Sequence, residues 1–293
     1  MQLTPIDRVS DITPEKFRKE YLGPHKPLII SDMSHNWPAF TKWTWNYFKD
    51  LVGKEKVGVY NNIRAGAHVP VNGADDYMLF GDYLDLIQKG PVELRIFLFN
   101  IFKAVPGIVE DFTFPNKYLK NVLKKFPMMF VGGSGSIAHM HYDIDMSHIF
   151  HTQFLGRKRV LLVRNDQSPF IYRMPGTVES AASFVDWHEH LDEERFPALK
   201  YAQAYQAILE HGDTLFMPSG YWHHMQYIDS GFAMSLRAIP EGIIPKLNGL
   251  YHLFGLRGFN NALIKLFPEW WYHYKRKLAK RNAQEAIEKI TTA

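Results

Sequence analysis

The sequence predicts a mainly β protein with flanking helices: an all-β barrel or double-sheet jelly roll over about residues 127–240, an α/β region before it and helices after it. From Pro127 short apolar runs are separated by glycine-containing breaks at Gly132–Gly135, Gly156, Gly212, Gly220 and Gly231, a pattern of many short strands joined by turns. Before that point helix-like and strand-like segments alternate, and after Pro245 the apolar spacing returns to the helical period. Three parts are therefore expected: residues 1–126 packing on the barrel, 127–240 forming it, and 241–293 as a helical region.

The elements follow in order. Thr13 is placed to cap a helix in TPEKFRKEYL, with Pro14 at its first position and Phe17 and Tyr21 on one face. PLIISDM reads as a short buried strand, and a second amphipathic helix covers roughly Trp43–Val52 and stops at Gly53. VGVYN has strand composition, DYMLFGDYLDLIQKG reads as a helix closed by Gly90, and PVELRIFLFNIF is strongly apolar before Pro106 and Pro115. In the barrel region the candidate strands are MMFVGG, IAHMHYDID, IFHTQFL, RVLLV, TLFMP, WHHMQYI and FAMSLRAI. Residues 169–200 are polar and read as a long insertion, whose length suggests contact with substrate. Two or three helices end the chain, with Pro268 opening a new one after Phe267.

Composition excludes several classes. The 293 residues are 46% hydrophobic and 22% charged, enough apolar content to bury a core. With no cysteine, disulfides, thiolate zinc sites, iron–sulfur clusters and a cysteine nucleophile are all excluded, so any metal takes nitrogen and oxygen ligands. A net charge of +4 is only mildly basic and names no partner. No apolar run reaches membrane-spanning length, and MQLTPIDRVS lacks the basic-then-apolar pattern of a leader. A cytoplasmic protein that does not enter the membrane is the expectation.

The chemistry concentrates in His141-Tyr142-Asp143, followed about eighty residues later by His223 in PSGYWHHM. Residues two apart on a strand share a face, so His141 and Asp143 can bind one ion together, and a histidine from another strand completes the site. Two histidines and a carboxylate on one side of a metal form the facial triad of non-haem Fe(II) oxygenases; catalytic zinc uses similar ligands. His139 would share the face of His141 and Asp143 on a regular strand, as a barrel histidine or a residue supporting the metal. His224 should point the opposite way. His148 and His151 are candidates for the pocket mouth, while His188 and His190 fall in the acidic insertion as surface groups.

Over most of its length the chain resembles the JmjC-like cupin oxygenases, in the branch related to the factor-inhibiting-HIF asparaginyl hydroxylase and the tRNA wybutosine hydroxylase. The segments that carry the resemblance are PLIISDMSHNWPAFTKWTWNYF, GGSGSIAHMHYD, QFLGRKRVLLV, ERFP and HGDTLFMPSGYWHHM, in family order. It implies a double-stranded β-helix (the cupin jelly roll), Fe(II) held by His141, Asp143 and His223, and 2-oxoglutarate and O2 as cosubstrates. It also implies that Lys158 neutralises the distal carboxylate of 2-oxoglutarate inside the barrel; from the residues alone, Lys158 reads as a solvated turn residue beside Arg157 and Arg159.

The chain departs from that pattern at three places. Ala138 stands where close relatives have threonine, and Ser147, His148 or Ile149 falls where they have asparagine. Arg95 aligns with a tyrosine, and its guanidinium is suited to a carboxylate. Arg95, Lys158, Ser147 and His148 are accordingly the candidate cosubstrate-binding residues.

The implied reaction is hydroxylation of a protein side chain or a modified nucleotide, with N-methyl demethylation and a non-catalytic metal- or acid-binding cupin as alternatives. Substrate choice is expected to lie in residues 169–200 and around Asn61–Asp76. The basic, aromatic stretch Trp270–Arg281 reads either as an RNA-contact surface or as an amphipathic helix with a solvated basic face. The branch's carboxy-terminal helices imply a homodimer.

Overall fold

The computed structural model describes residues 1–63, 73–177, 183–187 and 191–292. In chain order the strands are β1 (Gln2–Pro5), β2 (Asp7–Val9), β3 (Leu28–Ile30), β4 (Lys56–Val59), β5 (Asp76–Leu79), β6 (Arg95–Phe99), β7 (Met128–Gly132), β8 (Ile137–His141), β9 (His148–Leu155), β10 (Lys158–Val163), β11 (Gln203–Leu209), β12 (Thr214–Met217), β13 (Trp222–Tyr227) and β14 (Gly231–Ala238). They make a five-stranded sheet, β1-β11-β10-β13-β8, a seven-stranded sheet, β2-β3-β12-β9-β14-β7-β6, and a separate β4–β5 pair. From β7 to β10 and from β11 to β14 each successive strand changes sheet, the crossing pattern of a jelly roll. The four strands β1, β2, β3 and β6 from the amino-terminal region extend both sheets, so that region is woven into the barrel edges as well as packed on them.

Strand alternation sorts the side chains into three cores. Between the sheets lie Ile149 of β9, Val160 and Leu162 of β10, Leu209 of β11, Leu215 and Met217 of β12, and Met225 of β13. The other faces of β9, β12 and β14 send Phe150, Phe154, Phe216, Phe232, Met234 and Leu236 outward against the amino-terminal layer. On the far side, Trp222, Met140 and Tyr142 pack under the insertion residues Ile171, Tyr172, Val185 and Trp187. In β14 this leaves Ala233, Ser235 and Arg237 as the inward row. Gly132 supports that interior directly, because a Cβ there would stand 2.5 Å from the Tyr227 ring.

The amino-terminal layer carries helices α1 (Pro14–Phe17), α2 (Ala39–Lys42), α3 (Trp45–Val52), α4 (Phe80–Gln88) and α5 (Ile101–Ala104). Thr13 caps α1 as expected, its hydroxyl accepting from the Lys16 amide at 3.2 Å, and a single wide turn, Arg18–Leu22, continues it. The expected helix in DYMLFGDYLDLIQKG is half strand: Asp76–Leu79 pairs antiparallel with β4, and only Phe80–Gln88 is helical. Tertiary pairing outweighs local helical preference there. The IAHMHYDID strand likewise ends at His141, so Asp143 lies in the turn that follows.

After β14 come α6 (Ile243–Leu250), a wide helical stretch Tyr251–Leu256, α7 (Arg257–Leu266) and α8 (Pro268–Thr291), with Pro268 in the first turn of α8. The basic run in α8 is not a uniformly solvated face. Lys275 is buried and donates to Thr177 Oγ1 at 2.9 Å and Asn260 Oδ1 at 3.0 Å, while Trp271 is buried and Trp270 exposed. No helix among the described residues is long and apolar enough to cross a membrane.

The Phe216 ring is fully buried, 4.8 Å from Phe17 and 5.3 Å from Phe150, and locks the amino-terminal layer to the seven-stranded sheet. Phe216→Ala is expected to cost about 3–5 kcal/mol of unfolding free energy, read as a lower urea midpoint at unchanged m-value.

Candidate metal centre

His141 ends β8 and His223 lies opposite it on β13 as its register partner. Their ring centroids are 4.2 Å apart. Asp143, in the turn after β8, brings its carboxylate to the same place, and one ligand atom from each of His141, Asp143 and His223 lies within 4.8 Å of the others. The structure thus brings together the three residues that the sequence singled out.

Backbone carbonyls set the two imidazoles for ligation. His141 Nδ1 is 2.6 Å from the His139 carbonyl oxygen and His223 Nδ1 is 3.3 Å from that of Tyr221. A carbonyl only accepts, so each Nδ1 carries the proton and each Nε2 keeps its lone pair for a metal. Burial, reinforced by His223, depresses the His141 pKa to about 3 against the pull of Asp143. Burial likewise lowers His223, again against Asp143. Burial opposes ionisation of Asp143, but Arg237 and the two histidines outweigh it and hold the carboxyl below its usual range. At neutral pH the trio is two neutral nitrogen donors and one carboxylate, a donor set that fits Fe(II) or another borderline divalent ion.

His139 does not join them. The β8–β13 register slips by one residue, with His223 opposite His141 but Met225 opposite Ala138. This bulge turns Ala138 into the barrel core, and the His139 ring instead reaches the Asn62 backbone carbonyl at 2.8 Å. The expectation that His139 shares the triad's face fails because the strand is not regular. Asn62 also fastens β8 by accepting from the Ile137 amide at 2.8 Å and donating to the Gly135 carbonyl at 3.0 Å.

Deeper in the barrel, Lys158 is buried at the start of β10, not solvated in the turn. Its Nζ lies 3.0 Å from His151 Nε2 and 4.2 Å from the centre of the Tyr227 ring, and His151 Nδ1 lies 2.8 Å from Ser235 Oγ. No carboxylate among the described residues pairs with Lys158, and burial drops its pKa to about 7. Arg95, on β6, is also drawn into the interior: Nη1 donates to the Asn61 carbonyl at 2.6 Å, and burial lowers its pKa.

Ser147 and His148 are directed elsewhere. Ser147 donates both its hydroxyl and its amide to Asp145 Oδ1, at 2.9 and 3.3 Å. His148 stands on the outer face of β9, accepting from the Ser219 amide at 3.0 Å, and lines a cavity of about 430 Å³ with His25, Met146 and Ser219. Of the three candidates for the missing asparagine, Ile149 is the one in the core between the sheets. His151 lies inside the barrel rather than at its mouth, and His224 is buried. His188 and His190 lie outside the described residues, as do parts of both expected specificity segments.

Sequence reading missed Arg237, which forms ion pairs with Asp143 and Asp145. The available signal was an arginine in the inward row of the apolar strand GFAMSLRA.

A model of the cupin-like domain family matches residues 14–237. Lysine-specific demethylase 8 of Xenopus tropicalis is 23% identical over 237 residues, covering 79% of this chain and 52% of that protein. The tRNA wybutosine-synthesizing protein 5 of Gallus gallus is 26% identical over 254 residues, covering 79% of this chain and 76% of that protein. JmjC domain-containing protein D of Dictyostelium discoideum is 26% identical over 245 residues, 75% of this chain and 53% of that protein. The chain therefore spans about half the length of the first and third of these relatives.

Lys158 yields a stability prediction. Its folded pKa of about 7 lies below the ordinary 10.5, so between those values the unfolded chain binds more protons and stability rises with pH. The burial penalty is full below about 7 and fades towards 10.5. In the metal- and ligand-free protein, Lys158→Met is expected to raise the urea midpoint at pH 6.5, with the gain shrinking by pH 9.5.

Proposed function

Because this chain belongs to the cupin-like domain family, we propose that it is an Fe(II)- and 2-oxoglutarate-dependent dioxygenase that hydroxylates a protein side chain or a modified nucleotide. The observation that carries this reading is the pairing of a His141–Asp143–His223 cluster with a buried lysine that has no carboxylate partner among the described residues, both inside one barrel. His141 and His223 would hold the metal through Nε2 and Asp143 through its carboxylate. Fe(II) held there would supply the oxidant for C–H hydroxylation at the expense of O2 and 2-oxoglutarate, with succinate and CO2 as coproducts.

The chain's own residues supply position and charge. Lys158 neutralises the distal carboxylate, and a carboxylate there raises its pKa, so the lysine takes up a proton when the ligand arrives. Arg95 adds a second cation where a neutral hydroxyl is missing, and Ser235 and His151 offer polar groups beside Lys158. Ala138 and Ile149 leave apolar wall that excludes water. N-methyl demethylation is a second reading, favoured by the likeness to the lysine-specific demethylase: hydroxylation of an N-methyl carbon at the same site releases formaldehyde.

Anaerobic titration of the Fe(II)-loaded protein with 2-oxoglutarate tests the reading. A saturable visible charge-transfer band is expected, with Lys158→Ala weakening 2-oxoglutarate binding roughly tenfold or more and Asp143→Ala abolishing the band. Iron-loaded protein without a band overturns it in favour of a non-catalytic cupin.

We propose further that a second copy of the chain covers the carboxy-terminal helices. Leu247, Leu250 and Phe254 are 57%, 53% and 69% exposed and fall in one helical stripe, an apolar surface that a monomer would leave in water. Light scattering is expected to give a dimer, and Leu247→Glu with Phe254→Glu a monomer. A wild-type monomer overturns the assignment.

A further inference from the structure

Arg237 occupies the inward row of β14, where neighbouring inward positions are Ala233 and Ser235. A guanidinium in that row is costly unless it is paired. Its side chain is 15% exposed, with Nη2 at 3.2 Å from Asp143 Oδ2 and Nη1 at 2.9 Å from Asp145 Oδ2. The other oxygen of Asp145 is held by the hydroxyl and amide of Ser147. A chain of contacts thus runs from Ser147 through Asp145 and Arg237 to Asp143.

The same loop is fastened at two further points. Ser219, in the turn before His223, donates its hydroxyl to the Met146 carbonyl. Helix α6 lies so close that a Cβ on Gly249 would stand 3.0 Å from the Asp145 carbonyl oxygen. Of these fastenings, Arg237 alone touches the carboxylate that faces the two histidines.

We propose that Arg237 is a positioning residue for the metal, which occupies Oδ2 of Asp143 so that Oδ1 is left to ligate and ties that carboxylate directly to strand β14, with Asp145 holding the other end of the guanidinium. The inference rests on the metal-binding reading of His141, Asp143 and His223. A carboxylate free to use both oxygens takes up two positions on the ion; one held through Oδ2 takes one, which keeps positions open for a chelating cosubstrate and for O2. The paired aspartates also balance charge, since Asp145 offsets the guanidinium and leaves Asp143 to the dication. Ser147 supports the carboxylate ligand from behind, by fixing Asp145.

Cobalt(II) loading of the metal-free protein tests this without turnover. In Arg237→Gln the visible Co(II) absorption is expected to change and the Co(II) Kd to weaken about tenfold or more, with Arg237→Lys recovering most of the affinity. Asp145→Asn is expected to move both readouts in the same direction by less. Arg237→Gln protein with wild-type circular dichroism, Co(II) spectrum and Kd overturns the proposal. Where Arg237→Gln does not fold, Asp145→Asn decides, and an unchanged spectrum and Kd overturn the proposal. A wild-type protein that binds no Co(II) instead overturns the metal reading itself.

Discussion

Two imidazoles with centroids 4.2 Å apart and a carboxylate share the end of a barrel, His223 buried and His141 and Asp143 half-buried. They coexist only if both rings stay neutral while the carboxyl stays charged, and the backbone arranges this. Carbonyls of His139 and Tyr221 accept the Nδ1 hydrogen bonds, burial disfavours a second proton on either ring, and Arg237 with the two histidines holds the Asp143 carboxyl below its usual range against desolvation. A proton on either ring would remove one nitrogen donor, and a proton on Asp143 would remove the anionic one.

The opposite end of the cavity poses the complementary problem. Among the described residues Lys158 has no carboxylate partner, and its polar neighbour His151 is itself held neutral by burial and by the lysine. Arg95 approaches from β6 with a backbone carbonyl for company. Arg95 has Asp75 near it, whereas a buried Lys158 without an anion destabilises the fold. The dicarboxylate of the proposed reading, one end at the triad and the other at Lys158, would satisfy both halves.

The barrel was legible in the sequence because glycine breaks and strand alternation are local signals, and His141, Asp143 and His223 were legible because a His-x-Asp pair and a distant histidine are recognisable by residue type, although Asp143 lies beyond the end of β8. Legibility failed where a long-range partner decided the outcome. Asp76–Leu79 is a strand because β4 is beside it, and His139 leaves the triad's face because β8 bulges against β13. Lys158 reads as a turn residue until Gly156, at φ 72°, closes the turn early and places the lysine in the strand. Ser147 and His148 were drawn in by counting along the chain, but the two positions fall on Asp145 and on the outer face of β9. Arg237 was present in the pattern as one charge in an apolar strand, and only the pairing of β14 with β9 reveals what it meets.

The carboxy-terminal helices connect to the metal loop through the other side of the same segment. Tyr142, between His141 and Asp143, points outward to Trp222 at 4.6 Å and to His252 Nδ1 at 3.4 Å, and Arg173 of the insertion donates to its hydroxyl at 3.3 Å. Gly249 backs the Asp145 carbonyl one turn earlier. The inward side chains of residues 141–145 thus face the metal position and Arg237, and the outward ones rest on the insertion and on the helix whose far side carries Leu250 and Phe254. Gly249 and His252 thus set these helices against the Asp145 carbonyl and the Tyr142 hydroxyl, on the segment that carries Asp143, without any helical residue among those described touching the carboxylate itself.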